Sequence, residues 1–173
     1  MRVISGKYKG KILKGFGLDG TRPTMDRVKE SLFAIIQSKI NESMCLDLFA
    51  GSGSLGIEAL SNGAKFCYFS DNNKTIIDIL SYNLKNIENY KIIKSDYMNV
   101  LNKLKDIKFD IIFLDPPYKL NLINKCIDII LQNDMLNEDG IIVCEYECEN
   151  IECDLNILCD KKYGSKRVRI YNK

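Results

Sequence analysis

Histidine and tryptophan are absent from the 173-residue chain, and proline occurs only three times. Without histidine, neither a Ser/His/Asp triad nor a Cys/His pair can be assembled. The seven cysteines (Cys45, Cys67, Cys126, Cys144, Cys148, Cys153 and Cys159) are odd in number and include no CxxC pair. Zinc-ligand spacings are therefore not met, and reduced thiols acting as small buried hydrophobes are expected instead. Long apolar runs are also missing. None approaches the roughly 18–20 residues that cross a bilayer, and the opening residues 1–7 lack the apolar stretch of a signal peptide. These absences predict a cytoplasmic protein without a membrane span or a metal. Its chemistry is left to carboxylates, backbone groups and a cofactor.

With 46% apolar and 28% charged residues, the composition is that of one globular domain with a real core. Its net charge of +2 is unevenly spread. Residues 1–30 carry eight Lys/Arg against three Asp/Glu, and residues 161–173 carry six Lys/Arg and no acid. The remainder holds eleven basic and twenty acidic residues. Basic ends on an acidic body suit a polyanion held by the termini.

Residues 1–14 alternate weakly around Gly6 and Gly10, as expected of a basic arm or hairpin; a division at residue 24 would separate this arm from a domain over 25–173. Apolar residues at Met25, Val28, Leu32, Ile35, Ile36 and Ile40 predict an amphipathic helix, capped by Thr24, with Asp26 at the positive end of its dipole. Short apolar runs then alternate with helical patterns. Strands are expected at Met44–Phe49, Phe66–Ser70, Lys91–Lys94, Asp110–Leu114 and Gly140–Glu145. Helices are expected at Leu55–Asn62, Lys74–Asn86, Met98–Lys105 and Leu122–Gln132. This order predicts an α/β fold with a mostly parallel sheet and helices on both faces. Asn156–Cys159 and Val168–Tyr171, around Gly164, read as a terminal antiparallel hairpin. Ligands in such sheets sit beyond the carboxyl ends of the strands.

The strand ends hold the informative residues. After the first comes Asp47-Leu48-Phe49-Ala50-Gly51-Ser52-Gly53-Ser54-Leu55-Gly56, a glycine-rich turn opening a helix whose free N–H groups can take an anion. Gly51-x-Gly53-x-x-Gly56 literally meets the dinucleotide fingerprint, so a nicotinamide enzyme has to be weighed. The carboxylate of Asp47 suits a cationic amino group better than a pyrophosphate. Asp71 can accept from both hydroxyls of a ribose; its alternative role is to cap the next helix. Asp96 can accept from an adenine amino group. At the fourth strand end, Asp115-Pro116-Pro117-Tyr118 puts a carboxylate, a stiff pair of prolines that cannot donate and an aromatic ring together. The amino group of a nucleobase is planar and a poor nucleophile. Accepting both its protons, through the Asp115 carboxylate and the Pro116 carbonyl, localises the nitrogen lone pair, while Tyr118 stacks on the base. A methyl sulfonium would then lie in line at about 3–3.5 Å.

From these residues the chain resembles the bacterial 16S rRNA guanine-N2 methyltransferases of the RsmD type. The resemblance is nearly end to end. It is carried by Met1–Gly10, by Arg22-Pro23-Thr24-Met25-Asp26-Arg27-Val28-Lys29-Glu30-Ser31-Leu32-Phe33, by Leu46–Leu60 and by Phe113–Tyr118. It implies a single Rossmann-like class I methyltransferase domain with a seven-stranded sheet, and S-adenosyl-L-methionine as donor. The acceptor it implies is N2 of one guanine in 16S rRNA of the small ribosomal subunit; a monomer is expected. Asp47 and Gly51, Ser52 and Gly53 would hold the methionine end, with Phe49 and Ala50 beside them. Asp71 and Asn72 would take the ribose; the family more often carries Glu at the Asp71 position. Asp96 and Tyr97 would take the adenine, with Ser95 where the family commonly has Gly. Thr24, Arg27 and Arg22 would lie near the cofactor or the entering base. Arg2, Lys7, Lys9, Lys11 and Arg22 at one end, and Lys166 and Arg167 at the other, would grip RNA phosphates while the target base is splayed into the pocket.

Four other readings compete with this one. An N6-adenine methyltransferase on DNA or RNA uses the same Asp-Pro-Pro-Tyr chemistry, but the length leaves no room for a sequence-reading domain. A protein glutamine methyltransferase commonly has Asn where Asp115 stands. A nicotinamide oxidoreductase gives Asp115–Tyr118 no role. A plain RNA-binding module has no use for the carboxylates at successive strand ends.

Overall fold

A computed structural model describes residues 1–15, 23–117 and 120–173, with the backbone alone at Pro23, Thr24 and Met25. Helix α1 (Pro23–Ile40) leads into the alternation β1 (Met44–Asp47), α2 (Ser54–Ser61), β2 (Phe66–Asp71), α3 (Lys74–Asn83), β3 (Tyr90–Lys94), α4 (Tyr97–Lys103), β4 (Phe109–Leu114), α5 (Ile123–Gln132) and β5 (Leu136–Tyr146). The chain then closes with β6 (Asn156–Tyr163) and β7 (Lys166–Asn172). Among the described residues these strands form one seven-stranded sheet in the order β3-β2-β1-β4-β5-β7-β6. The first five are parallel, and β7 lies antiparallel between β5 and β6.

The doubly apolar strands follow from burial on both faces. Successive residues alternate between the two cores: Cys45, Ile111, Phe113, Ile141 and Val143 pack toward α1, α2 and α3. Leu46, Ile112, Leu114, Ile142 and Cys144 pack toward α4 and α5. Helix α1 puts Val28, Leu32, Phe33, Ile36 and Ile40 into the first core, the face read from its 3.6-residue period. Val3 and Leu13 of the arm join the same core; the arm is tied across itself by the antiparallel bridge Arg2–Ile12.

Several boundaries differ from expectation. Helix α1 starts at Pro23, so Thr24 lies inside it rather than capping it; proline suits a first helical position because its missing N–H would be unpaired there anyway. Asn73, not Asp71, caps α3, accepting from the Thr75 and Ile76 amides. Helix α3 stops at Asn83 rather than Asn86, which adopts a left-handed φ of 61°. Strand β5 begins at Leu136 instead of Gly140, because a register shift between Phe109 and Ile111 accommodates the extra residues. The terminal hairpin is longer on both arms than its apolar core suggested, since its polar residues complete the ladder. Among the cysteines, Cys45, Cys67, Cys126 and Cys144 are buried, Cys153 and Cys159 are partly so, and Cys148 is exposed. No helix among the described residues is long and apolar enough to cross a membrane.

Candidate active site

The order of strand addition reverses between the parallel neighbours β1 and β4, since the chain builds outward from β1 to β2 and β3 before returning to β4. Beyond the carboxyl ends of these strands, at the switch point where such sheets take ligands, lies a cavity of about 1210 Å³. Its wall includes Asp47, Phe49, Ala50, Gly51 and Ser52 from the β1–α2 segment, Asp71 and Asn72 after β2, Asp96 and Tyr97 after β3, and Asp115, Pro116 and Pro117 after β4. The candidate residues from four separate strand ends thus share one chamber. Gly53 is buried beneath it. Tyr118, Arg22 and the Thr24 side chain lie outside the described residues. Arg27 is exposed on α1 and does not line the cavity, whereas Val28, Lys29 and Leu32 of that helix do.

Each carboxylate is held differently. Asp47 is 2% exposed, and its Oδ2 accepts from the Gly56 amide at 3.0 Å, bracing the glycine loop. Burial pushes its carboxyl up to about 7, against the Gly56 hydrogen bond that favours the charge, and with Asp71 nearby adding to the rise. Asp71 accepts from the Asn73 amide at 2.9 Å and from the Gly51 amide at 3.4 Å, so it spans two loops. Asp96 caps α4 through the Asn99 amide at 3.0 Å, and that bond holds its carboxyl below the usual range. Gly56 shows why the third glycine is required. A Cβ there would meet the Phe69 ring at 2.3 Å and the Cys67 sulfur at 2.8 Å, so α2 could not approach β2 with any larger residue. Phe49 and Tyr97 meet with ring centroids 6.0 Å apart on the cavity wall.

Two buried charges at and behind this wall carry no clear functional signal in the sequence. Lys29 is 5% exposed and Glu58 is fully buried, and the two pair at 3.0 Å. The Lys29 ammonium also donates to the Arg2 carbonyl at 2.6 Å and to Ser54 Oγ at 3.1 Å. Glu58 accepts from the Ile4 and Ser5 amides at 2.9 and 2.8 Å and from Ser5 Oγ at 3.0 Å. Ser61 exchanges hydrogen bonds with the arm, donating to the Ser5 carbonyl and accepting from the Tyr8 amide. Gly6, with φ 76°, lies so close that a Cβ would stand 1.8 Å from the Ser61 carbonyl oxygen. Asn83 holds the far end of the arm, bonding both Lys14 backbone groups and the Ser52 carbonyl. The arm is therefore fastened to the glycine-rich β1–α2 segment, and Met1 reaches the cavity wall. The only trace of this in the sequence is that Lys29 in α1 and Glu58 in α2 each interrupt an apolar helix face.

The expected phosphate contacts divide. Lys7 and Lys9 are exposed on the arm, Lys7 near Glu88 at 3.5 Å, and Lys11 donates to the Lys85 carbonyl at 2.8 Å. Arg2 is exposed, 3.8 Å from Asp26. Arg167 pairs with Asp160 at 2.7 Å. Lys166 turns into the cavity wall and pairs with Glu145.

Over residues 1–172 the chain matches the family described as Conserved hypothetical protein 95. YlbH of Bacillus subtilis (strain 168), named as a candidate rRNA methyltransferase, is 42% identical, with 100% of this chain and 99% of that protein aligned. Ribosomal RNA small subunit methyltransferase D of Haemophilus influenzae is 39% identical over 99% of this chain and 93% of its own length. Among solved structures, yhhF from Escherichia coli, described as a candidate methyltransferase, superposes with a TM-score of 0.88 at 32% identity, covering 100% of this chain and 97% of that one. SMU.776, a candidate methyltransferase solved in complex with SAH, shares the fold at a TM-score of 0.73 and 16% identity, over 88% of this chain and 50% of that one. The chain thus belongs to the Conserved hypothetical protein 95 family, that of the ribosomal RNA small subunit methyltransferases D, and has the Rossmann-like class I methyltransferase fold.

Proposed function

We propose that this enzyme transfers a methyl group from S-adenosyl-L-methionine to the exocyclic N2 amino group of a guanine in small-subunit (16S) ribosomal RNA. The observation that carries the reading is the meeting, in one cavity, of Asp47, Asp71 and Asp96 with the Asp115-Pro116-Pro117 loop. The donor set fits the cofactor. Asp47 and the amides at the start of α2 suit the two charged ends of an amino acid, Asp71 suits a ribose and Asp96 an amino-bearing base. The cofactor supplies an electrophilic methyl group on a sulfonium. The protein's part is to hold the acceptor. The Asp115 carboxylate and Pro116 carbonyl accept the two amino protons, localise the lone pair on nitrogen and stabilise the positive charge that develops there. Tyr118 is assigned to stacking on the base, and the exposed cations of the arm to phosphates.

Tritiated-methyl transfer onto small-subunit particles, naked rRNA and DNA, followed by nucleoside analysis, tests this. N2-methylguanosine from rRNA is expected; N6-methyladenine from DNA overturns it in favour of the alternative with the same loop chemistry. Asp115→Ala should abolish transfer while cofactor affinity stays within a few-fold, and retained turnover removes Asp115 from the mechanism. Asp47 adds a pH test. Burial pushes its carboxyl up to about 7, and a cationic ammonium beside it favours the charged form. Below pH 7 binding must displace a proton, so affinity should fall as pH drops from 7 to 5.5. Titration calorimetry should show proton release in wild type and none in Asp47→Asn. A flat wild-type profile takes Asp47 away from the ammonium.

A further inference from the structure

Glu145 and Lys166 form an ion pair on the cavity wall, and no step of methyl transfer itself requires them. Their placement relative to Asp115 is fixed by the sheet. Strands β4 and β5 run parallel with Leu114 opposite Cys144, and the residues that follow these two, Asp115 and Glu145, both line the cavity. Neighbouring strands are about 4.8 Å apart. On the far side of β5, antiparallel β7 begins at Lys166, next to Arg167 opposite Tyr146. The Glu147 carboxylate accepts from Ser165 Oγ at 3.0 Å, which pins the turn carrying Lys166. Across β4, β5 and β7 the wall therefore presents an acceptor, a second acceptor and a donor.

The Watson–Crick edge of guanine presents the complementary series: the N2 amino group donates, N1–H donates and O6 accepts. Adenine offers a C–H, an acceptor at N1 and a donor at N6, which opposes the wall at both Glu145 and Lys166. We propose that the Glu145–Lys166 pair selects guanine, Glu145 accepting from N1–H and Lys166 donating to O6 while Asp115 holds N2. This rests on the proposed function, and it gives Lys166 a base contact in place of the phosphate contact its charge suggested. Glu145 and Lys166 are specificity-determining residues rather than participants in the bond changes. A carboxylate can accept about four hydrogen bonds and an ammonium can donate three, so their mutual pairing is compatible with a base between them and Asp115. Enzymes that extrude a base read it at this edge. A site built to bond an N–H discriminates strongly against an analogue that lacks it.

The test replaces the target guanine, in small-subunit RNA assembled by ligation, with 2-aminopurine. That base keeps the N2 amino group, has a bare acceptor at N1 and lacks O6. Wild-type kcat/KM should be about 10–100-fold lower on 2-aminopurine, the scale of one good base contact. Glu145→Gln presents an amide that can donate to N1, and should shift the 2-aminopurine to guanine ratio upward by at least about tenfold. Lys166→Met should cost more on guanine than on 2-aminopurine. Because each variant is read as a ratio on two substrates, a general loss of folding or cofactor binding cancels. Unchanged ratios in both variants overturn the selectivity role. Wild-type enzyme that places no methyl on guanine N2 overturns the underlying function instead, a separate result.

Discussion

The two basic ends of the chain carry nearly equal net charge, yet the fold treats them in opposite ways. The N-terminal arm keeps its cations outside and anchors itself by its backbone: Glu58, Lys29, Ser61 and Asn83 bond the amides and carbonyls of residues 2–14. The C-terminal hairpin is anchored by strand pairing and turns Lys166, Arg167 and Arg169 onto acids, while Lys161 and Lys162 stay exposed. Asp160 takes both Arg167 and Arg169, at 2.7 and 2.6 Å, and Glu145 takes Lys166. A charge count cannot separate these cases, because it registers the cations and not the acids that strand register brings opposite them. RNA phosphates are therefore expected to meet mainly the arm.

The largest effect that would break this contrast is at Glu58. Removing one partner of a buried ion pair leaves the other uncompensated, at about 3–5 kcal/mol. Glu58→Gln should lower stability on that scale in urea unfolding, because Lys29 remains buried and the amides of Ile4 and Ser5 lose a charged acceptor. The double variant Lys29→Met with Glu58→Leu should recover part of the loss, since an apolar replacement of both partners is often near neutral. A Glu58→Gln protein as stable as wild type refutes the backbone-anchored arm.

The next effect concerns salt. Each phosphate contact contributes about 0.7–0.9 to the slope of log affinity against log salt. Replacing Lys7, Lys9 and Lys11 with Ala should weaken RNA binding and flatten that slope by about two, as the carbonyl partner of Lys11 leaves its charge uncancelled. Arg167→Ala with Arg169→Ala should flatten it by less than one unit, about the value of a single contact. A hairpin variant that flattens the slope more than the arm variant reverses the assignment of the two ends.

Much of this was legible in the chain, for identifiable reasons. The strand–helix alternation was readable because parallel strands buried on two faces are short apolar runs. Asp47, Asp71, Asp96 and Asp115 stood out because each breaks such a run at its carboxyl end, where the fold puts ligands. What was hidden depends on contacts between distant residues. Glu58 meets Ile4 and Ser5 across more than fifty positions, and its only local mark is its place on an otherwise apolar helix. Lys166 looked like a member of a basic tail because only the β5–β7 register sets it against Glu145. The early start of β5 was concealed by polar residues Asn137, Glu138 and Asp139, which a bulge tolerates at the sheet's edge of regularity.

The smallest effect is also the one that separates stability from binding at the hairpin. Asp160 is a partly exposed acid between two guanidiniums, and surface pairs of this kind contribute about 0–1 kcal/mol. Asp160→Asn should therefore change unfolding free energy by no more than about 1 kcal/mol. It also releases Arg167 and Arg169 from their carboxylate, so RNA affinity at low salt should rise, and the salt slope should steepen toward that of a protein with additional phosphate contacts. The neutral variant thus binds RNA more tightly than the charged one at no large cost in folding. If Asp160→Asn instead leaves the slope unchanged, Arg167 and Arg169 reach no phosphate, and the cations of the arm carry the electrostatic grip.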